Sequence, residues 1–375
     1  MSVGKAASNV GESCSATLCS STAAIRSLTD NAKQLLLDRH STSHPDFFLA
    51  SVSEKHWKPL AMAVTYYNRV VGIVYAKERL FCGCRTGIVY SDTTLGLNIV
   101  SEPVHREHVL NTALRALLTS GRARALRVVV PRDGFNLQTV SRIASSMDME
   151  TVSFQIANHS HLELPSSYDD FLNSLGAHTR RNFRYYRRRF EATGGCYDGR
   201  MTFDRFSSAA WRLTGKSAIR ADANLIKRAL RMLSAINEPI LVGLQTSTGE
   251  WLSIAGGWCD RGRATLLFQM NNDREHHRDS VSQVLRSYLI EDLIARGICD
   301  MVFWAGTSAP LARYAQRIPA TALYLDSRNP GWRLVRMLVS SIASRLPKRW
   351  REFGHWITPE SVQNDAIPSA GIEDD

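Results

Sequence analysis

PILVGLQTS (residues 239–247) is the first of three consecutive segments with one pattern, and EWLSIAGGWCD (250–260) and RATLLFQMNN (263–272) follow it. Each segment is short, rich in β-branched and aromatic residues, and bounded by polar residues or glycine. This pattern predicts three antiparallel strands. The next segment, SVSQVLRSYLIEDLIARG (280–297), has apolar residues at helical spacing and ends at a glycine, which predicts a helix. A last apolar segment, ICDMVFWAG (298–306), predicts a further strand.

The first half of the chain has a similar order of elements. Residues 60–99 contain short apolar segments that predict an antiparallel meander. After them the pattern predicts a helix at 106–121, a buried strand at 125–131, a second helix at 137–147 and a strand at 151–164. The fold class is therefore α/β (α+β), with two repeats that each hold a mixed, mainly antiparallel sheet flanked by helices.

The domain boundaries follow from this order. The chain has 375 residues, which is enough for two domains of ordinary size. Proline, serine and a new helix cap near Pro165 mark the junction between the repeats. We predict a disordered leader over 1–25, a degenerate first repeat over 26–165, a second repeat over 166–327, and a basic amphipathic helix with an acidic disordered tail over 328–375.

Composition excludes some classes of protein and favours others. Hydrophobic residues make up 44% of the chain and charged residues 22%, values typical of a soluble globular protein. The first residues are small and polar and lack the apolar core of a secretory signal, so we expect a cytoplasmic protein. Seven scattered cysteines favour reduced thiols, and no metal site is predicted. The net charge of +11 favours an anionic partner of some kind.

An arginine-rich stretch, HTRRNFRYYRRRFEATGG (178–195), holds six arginines and one acid. Apolar residues at three- and four-residue steps extend from Tyr168 to Phe190 and predict one continuous helix with a basic outer face. Ser166 and Asp169 predict a capping box at its start. The basic face is interpreted either as a solvated surface or as a contact for an anionic partner, and we expect no specific nucleic-acid binding.

A candidate phosphate site lies in NNDREHHRDSVSQ (271–283), where a strand leads into a helix. Ser280 and Gln283 predict a capping box at the helix start. The N–H groups of a first helical turn, together with the positive end of the helix dipole, favour binding of a phosphate. The predicted phosphate-binding residues are Arg274, Arg278, Ser280, Val281 and Ser282.

The order of three strands, helix and strand matches the GNAT acyltransferase superfamily. RRNFRYYRRRFE, preceded by HLELPSSYDDFLNSL and followed by a Trp-x-x-x-Gly-Lys helix, resembles the CelD-type cellulose-biosynthesis acetyltransferases, which are relatives of the FemAB-type peptidyltransferases. The similarity is strongest from His161 to about Asp326. It implies two GNAT-like repeats, acyl-CoA (acetyl-CoA or a longer one) as the donor, and a connection with envelope or secreted polysaccharide. The chain departs from the GNAT pattern in one respect, since REHHRD (274–279) lacks the glycines of the pyrophosphate loop.

The resemblance also implies where the chemistry takes place. The acyl arm would lie between the segments 263–272 and 298–306, with Gln269 and Trp304 lining the cleft. Direct acyl transfer needs a base for the incoming amine or hydroxyl and an acid for the leaving thiolate. Tyr314 is the predicted acid and Asp260 the predicted base.

We therefore predict an acyl-CoA-dependent N- or O-acyltransferase, an acetyltransferase with a small-molecule or saccharide acceptor. One alternative is a FemAB-like transferase that uses aminoacyl-tRNA, which would give the positive charge a direct purpose. Another is a non-catalytic adaptor on nucleic acid or a membrane surface. The basic C-terminal helix fits either peripheral contact with an anionic membrane or docking on its own domain.

Overall fold

The computed structural model describes residues 14–52, 56–81, 83–92, 98–132, 135–217, 223–276, 278–307 and 310–343. The described chain forms two compact units. The first contains residues up to Ala157 together with those from Pro319 onward, and the second contains Asn158–Ile318. The predicted repeat boundaries, at 165/166 and 327/328, describe a duplication in the sequence, whereas these units are defined by compactness. The repeat boundaries therefore stay a prediction.

The sheet of the first unit is mixed, in the order β1-β2-β3-β4-β6-β13, with β5 paired to β3. All its pairs are antiparallel except β4 with β6, which is parallel because helix α5 connects these two strands. Its strands are β1 (Cys14–Cys19), β2 (Trp57–Tyr66), β3 (Arg69–Phe81), β4 (Cys84–Asp92), β5 (Ile99–Ser101), β6 (Ala125–Pro131) and β13 (Gln316–Asp326), and the unit boundary falls within β7 (Glu150–Glu163).

Helices cover both faces of this sheet. On one face α5 lies so close to β3 that a Cβ on Gly72 would be 2.4 Å from the Cγ atoms of Val109, so only glycine fits there. On the other face Ile25, Leu36 and Phe48 pack with Tyr75 of β3. The helices are α1 (Thr22–Arg26), α2 (Leu28–Asn31), α3 (Lys33–Leu36), α4 (Pro45–Ser51), α5 (Arg106–Thr119), α6 (Phe135–Ser146) and α13 (Pro330–Ala343).

The sheet of the second unit has the order β7-β12-β11-β10-β9-β8. Three antiparallel strands lead through helix α12 to β12, which pairs in parallel with β11. This is the order found in β2, β3, β4, α5 and β6 of the first unit, so the predicted fold class is confirmed. The strands are β8 (Cys196–Asp198), β9 (Pro239–Gln245), β10 (Trp251–Asp260), β11 (Arg263–Asn271) and β12 (Asp300–Phe303).

Two layers of helix flank this second sheet. Phe171, Phe183 and Leu289 belong to one core cluster beneath α7, α8 and α12. On the opposite face Phe206 of α9 and Leu233 of α10 pack against the strand at Gly256, where a Cβ would be 2.8 Å and 2.7 Å from their side chains. The helices are α7 (Tyr168–Ser174), α8 (Ala177–Ala192), α9 (Phe203–Leu213), α10 (Ala223–Ser234), α11 (Asp273–His276) and α12 (Val281–Ala295).

Two local predictions in the second unit were wrong. The predicted continuous helix is two helices, because the chain is extended at Leu175 and Gly176. The cap of α7 is Ser167, whose hydroxyl accepts the N–H of Asp170, so the cap lies one residue later than Ser166. Apolar periodicity continues across the break because α7 and α8 both bury side chains in the same core cluster.

The two ends of the described chain also differ from the sequence-based expectations. Residues 14–25, expected within a disordered leader, contain β1 and most of α1, because β1 pairs with the edge of β2 over six residues. Helix α13 buries Trp332 but exposes Leu334, Met337 and Leu338. The predicted acidic tail lies outside the described residues. Within the described residues, no helix is both long enough and apolar enough to cross a membrane.

Candidate functional site

The parallel strands β11 and β12 separate part-way along their length. Their pairing runs from Arg263 with Asp300 to Leu266 with Phe303, and the N–H of Trp304 then donates to the Leu266 carbonyl (2.9 Å). Strand β11 goes on to Asn271, whereas β12 ends at Phe303. The register with β10 shifts at the same level, between Gly256 and Gly257, and such a bulge bends a strand. The result is an opening beside the last residues of β11.

Gln269 on β11 and Trp304 directly after β12 lie beside this opening, and their role in lining a cleft for the acyl arm stays a prediction. The Gln269 amide donates to Asn271 Oδ1 (3.0 Å) and to the backbone carbonyl of Ser282 (3.3 Å), so it ties β11 to the first turn of α12. The Trp304 ring packs edge-on against Trp258 with ring centres 5.9 Å apart. Gln269 is thereby fixed by hydrogen bonds and Trp304 by packing.

The start of α12 is built differently from the predicted capping box. Ser280 adopts a left-handed conformation (φ 48°, ψ 40°) and its side chain caps nothing. Its carbonyl instead accepts the N–H groups of Gln283 (2.8 Å) and Val284 (3.1 Å). The short helix α11 also separates β11 from α12, so the strand does not lead directly into the helix as predicted. The capping prediction failed because a left-handed residue directs its hydroxyl away from the first turn.

The predicted phosphate-binding residues lie around this first turn. Val281 is buried, and Ser282 is half-buried with its carbonyl bonded to Gln269. Arg274 and Arg278 are exposed, and neither side chain has a hydrogen-bond or ionic partner among the described residues. The first N–H groups of a helix have no acceptor within the helix. Two arginines without a side-chain partner among the described residues thus lie on the polar approach to this turn.

Tyr314 lies on the chain after β12 and contacts the start of α8. Its hydroxyl is 3.5 Å from Thr179 Oγ1 and accepts the backbone N–H of Gly176 (2.7 Å). The contact with the Thr179 hydroxyl and the N–H of Gly176 lower the pKa of Tyr314 below its usual value, because both groups stabilise the phenolate. The tyrosine is therefore a better proton donor than a free phenol.

Asp260 is not brought to the opening. It pairs with Arg263 at the closed end of the β10–β11 hairpin. Gln269 lies six residues further along β11, which corresponds to roughly 20 Å at the usual rise of a strand. The opening and the predicted base are thus at opposite ends of the β10–β11 hairpin.

The sequence reasoning missed Arg286, which extends from α12 to both sides of the opening. Its Nε donates to Gln269 Oε1 (2.9 Å) and its Nη1 to Thr307 Oγ1 (3.1 Å). The flanking residues Gln283 and Ile290 are buried, so this stripe of α12 faces protein. Those two residues lie three before and four after Arg286, the spacing of one helix face, and this signal in the sequence could have identified an inward-facing arginine.

The arginines of α8 line a groove of about 600 Å³ on the outer side of the helix. Arg189 is paired with Asp279 (3.1 Å), and Arg187 outside the groove is paired with Glu291 (2.6 Å). In the described part of the chain, the other groove arginines have no acidic partner. The lining residues are Ala177, Arg180, Arg181, Arg184, Tyr185, Arg188, Arg189 and Ala192.

Three side chains of the types that bind metal ions lie close together, and the Lys216 ammonium lies against two of them. Ligand atoms of Glu250, Glu275 and His276 lie within 4.8 Å of one another. The Lys216 ammonium bonds to Glu250 (3.1 Å) and Glu275 (2.9 Å), and Asn272 donates to both carboxylates. The Lys216 charge offsets one of the two carboxylate charges in this cluster, which connects α11 to the turn before β10.

Comparison with protein families gives the second unit a class. Residues 177–314 match the acetyltransferase (GNAT) domain. The matched segment contains β9 to β12, the opening and Tyr314, so the similarity to the GNAT domain falls within the second unit. Among curated protein sequences, none is similar enough to match this chain.

Several solved structures share the fold of the chain at low sequence identity. FemX matches with a TM-score of 0.54 and 12% identity, covering 78% of this chain and 95% of that one. L-PGS from Bacillus licheniformis matches with a TM-score of 0.52 and 10% identity, covering 84% and 97%. The C-terminal DUF2156 domain of a protein named for lysylphosphatidylglycerol synthetase, from Agrobacterium fabrum, matches with a TM-score of 0.53 and 11% identity, covering 84% and 95%. At these identities the similarity shows the fold alone.

Proposed function

We propose that this protein is an acyl-CoA-dependent N- or O-acyltransferase of the CelD type, which acetylates a saccharide or small-molecule acceptor in envelope or exopolysaccharide biosynthesis. One observation carries the proposal: β11 and β12 open beside the first turn of α12, within the segment that matches the GNAT domain. The opening offers an edge for the acyl arm, and the helix start offers N–H groups for its phosphates.

The edge of β11 supports binding of the acyl arm. Beyond Leu266 the ladder with β12 has ended, so the backbone groups of β11 on that side need another partner. An extended amide-containing chain can supply it by adding to the strand edge. Strand N–H groups at this level would also hold the thioester carbonyl and stabilise the negative charge that develops on its oxygen.

The first turn of α12 supports binding of the phosphates. Arg274 and Arg278 lie on the connection that leads to it, are exposed, and are free of acidic partners among the described residues. Charge-assisted hydrogen bonds from arginine are stronger than those from neutral donors. They compensate for the missing glycines, without which the backbone approaches a pyrophosphate less closely.

Tyr314 supports proton transfer to the leaving group. The acceptor nitrogen or oxygen attacks the thioester carbon and releases its proton to water, the carbon–sulfur bond breaks, and the thiolate takes up the proton of Tyr314, which is then reprotonated from solvent. The lowered pKa of Tyr314 favours this donation. We assign no base, because Asp260 lies at the closed end of the β10–β11 hairpin.

The arginine groove favours a second candidate, transfer from aminoacyl-tRNA. Arg181, Arg184 and Arg188 follow one another at three- and four-residue steps, without acidic partners in the described structure, and Tyr185 between them is 55% exposed. Positive side chains with an aromatic ring are the elements that bind a single-stranded phosphate backbone and its bases.

Calorimetric titration of the full chain separates the two candidates. We expect heat on addition of acetyl-CoA and a weaker response to desulfo-CoA, which lacks the thiol and so carries no acyl group. Total tRNA in the same buffer, at physiological salt, provides the comparison. Binding of tRNA without any response to acyl-CoA would replace the first candidate with the second.

A further inference from the structure

Arg286 connects the two sides of the opening. Its side chain reaches Gln269 on β11 and Thr307 on the chain that follows β12, and its guanidinium lies 5.4 Å from the ring centre of Phe303. The residue is half-buried. The guanidinium is therefore held between the strands at the level where their pairing ends.

The positive charge of Arg286 has no acidic partner among the described residues. In the described residues both hydrogen-bond acceptors of Arg286 are neutral, and no carboxylate lies within ion-pair distance. Some arginines of the unit are paired, for example Arg187 with Glu291 and Arg296 with Asp292, and those without an acidic partner are mostly exposed. Burial lowers the pKa of Arg286 to about 10, so the group remains charged at neutral pH. An uncompensated charge in a protein interior is costly and is usually balanced by an anion.

The neutral contacts fix the direction of the guanidinium. Gln269 is itself held by Asn271 and by the Ser282 carbonyl, so it cannot turn away from Arg286. A guanidinium has five N–H donors, and the two contacts to Gln269 and Thr307 leave three of them. The Arg286 guanidinium is thus held in one orientation while its positive charge stays unpaired, as expected of a group that binds an anionic ligand.

We infer that Arg286 is the receptor for a carboxylate carried by the acyl donor or by the acceptor in the opening between β11 and β12. The inference rests on the proposed function, because it places the substrate in that opening. A planar guanidinium with adjacent donors matches a planar carboxylate in two parallel hydrogen bonds. The substrates are accordingly acidic: a dicarboxylic acyl group, or an acceptor such as an amino acid or acidic sugar.

Binding measurements on the full chain test this inference. The donor arm compares succinyl-CoA with acetyl-CoA. The acceptor arm compares succinate and glutamate with succinamide in the presence of CoA. Both arms are measured at constant ionic strength. We expect the acidic ligand of one arm to bind about tenfold more tightly than its neutral counterpart. Arg286→Gln should abolish the preference for the acidic ligand. Arg296→Gln, at the residue that directly follows the same helix, is the matched control and should keep the preference.

The outcomes are distinguishable from failure of the proposed function. A preference in the donor arm assigns the carboxylate to the acyl group, and one in the acceptor arm alone assigns it to the acceptor. Equal binding in both arms by the unmodified protein overturns the inference, and this comparison needs no variant to fold. If neither CoA nor acetyl-CoA binds, the proposed function fails, while thermal stabilisation by succinate over succinamide still tests Arg286.

Discussion

The hydroxyl of Tyr314 accepts the backbone N–H of Gly176 at 2.7 Å, which connects the chain after β12 to the residue that precedes α8. A phenolate at this position is stabilised by Gly176, by Thr179 and by the positive end of the α8 dipole. Two predictions follow from this contact, one for each partner.

Replacing Tyr314 with phenylalanine should lower kcat by about 100-fold with little change in KM, because general acid catalysis typically contributes that much to a rate. The acid must be protonated, so the rate of the unmodified protein should fall as pH rises through the lowered pKa, below the usual tyrosine value of about 10. Rate profiles against pH for both proteins provide the measurement. A profile that keeps its basic limb in the variant would exclude Tyr314 as the acid.

Substituting alanine at Gly176 should have a smaller effect of the same kind. The backbone there (φ −58°) is allowed for any residue, but the new Cβ would be 3.1 Å from the Tyr314 hydroxyl. Displacing the phenol by a few tenths of an ångström weakens its hydrogen bond, so we expect kcat to fall by about threefold to tenfold and the basic limb to move to higher pH. An unchanged profile would show that this contact does not set the pKa.

Loss of Arg274 and Arg278 should weaken binding of CoA. Each charge-assisted hydrogen bond contributes about 1.5 to 3 kcal/mol, so Arg274→Ala with Arg278→Ala should lower the affinity by at least tenfold and leave the fold intact. Lysine should restore only part of it, since it cannot form a two-pronged contact. Arg212→Ala, an exposed arginine on α9, is the control for net charge. Calorimetry showing wild-type affinity in the double variant would remove the phosphate site.

For the arginine groove we expect weak tRNA binding that declines steeply with salt, since each phosphate contact releases about one counterion. Changing Arg184 and Arg188 to glutamine should reduce the slope of log affinity against log salt by about one to two. Filter binding over a range of salt concentrations gives the slope. Tight tRNA binding at physiological salt, lost in this variant, would favour the aminoacyl-tRNA candidate over acyl-CoA.

The exposed apolar side chains of α13 provide a test of peripheral membrane contact. Leu334, Met337 and Leu338 are more than half exposed. We propose that they insert at the surface of an anionic bilayer, with nearby basic residues attracted to the headgroups. The full chain should sediment with phosphatidylglycerol vesicles and much less with phosphatidylcholine vesicles, and changing the three residues to glutamine should reduce this by several-fold. Equal sedimentation of variant and parent would contradict the contact.

The sequence by itself determined the order of strands and helices in both units and the class of fold. The short apolar run in 239–247 and the helical spacing in 280–297 were sufficient, because these patterns reflect how much of each element is buried. The sequence-based assignment of Gln269 and Trp304 to a cleft for the acyl arm stays a prediction.

Only the tertiary structure decided which side chains meet. Tyr314 contacts Gly176 across 138 residues of sequence, and this contact accompanies the break between α7 and α8 that periodicity did not reveal. Asp260 was separated from the opening by strand register, and Arg286 was placed between two neutral partners by the packing of α12. Periodicity is a local property of the chain, whereas register, charge compensation and hydrogen-bond partners depend on residues distant in sequence.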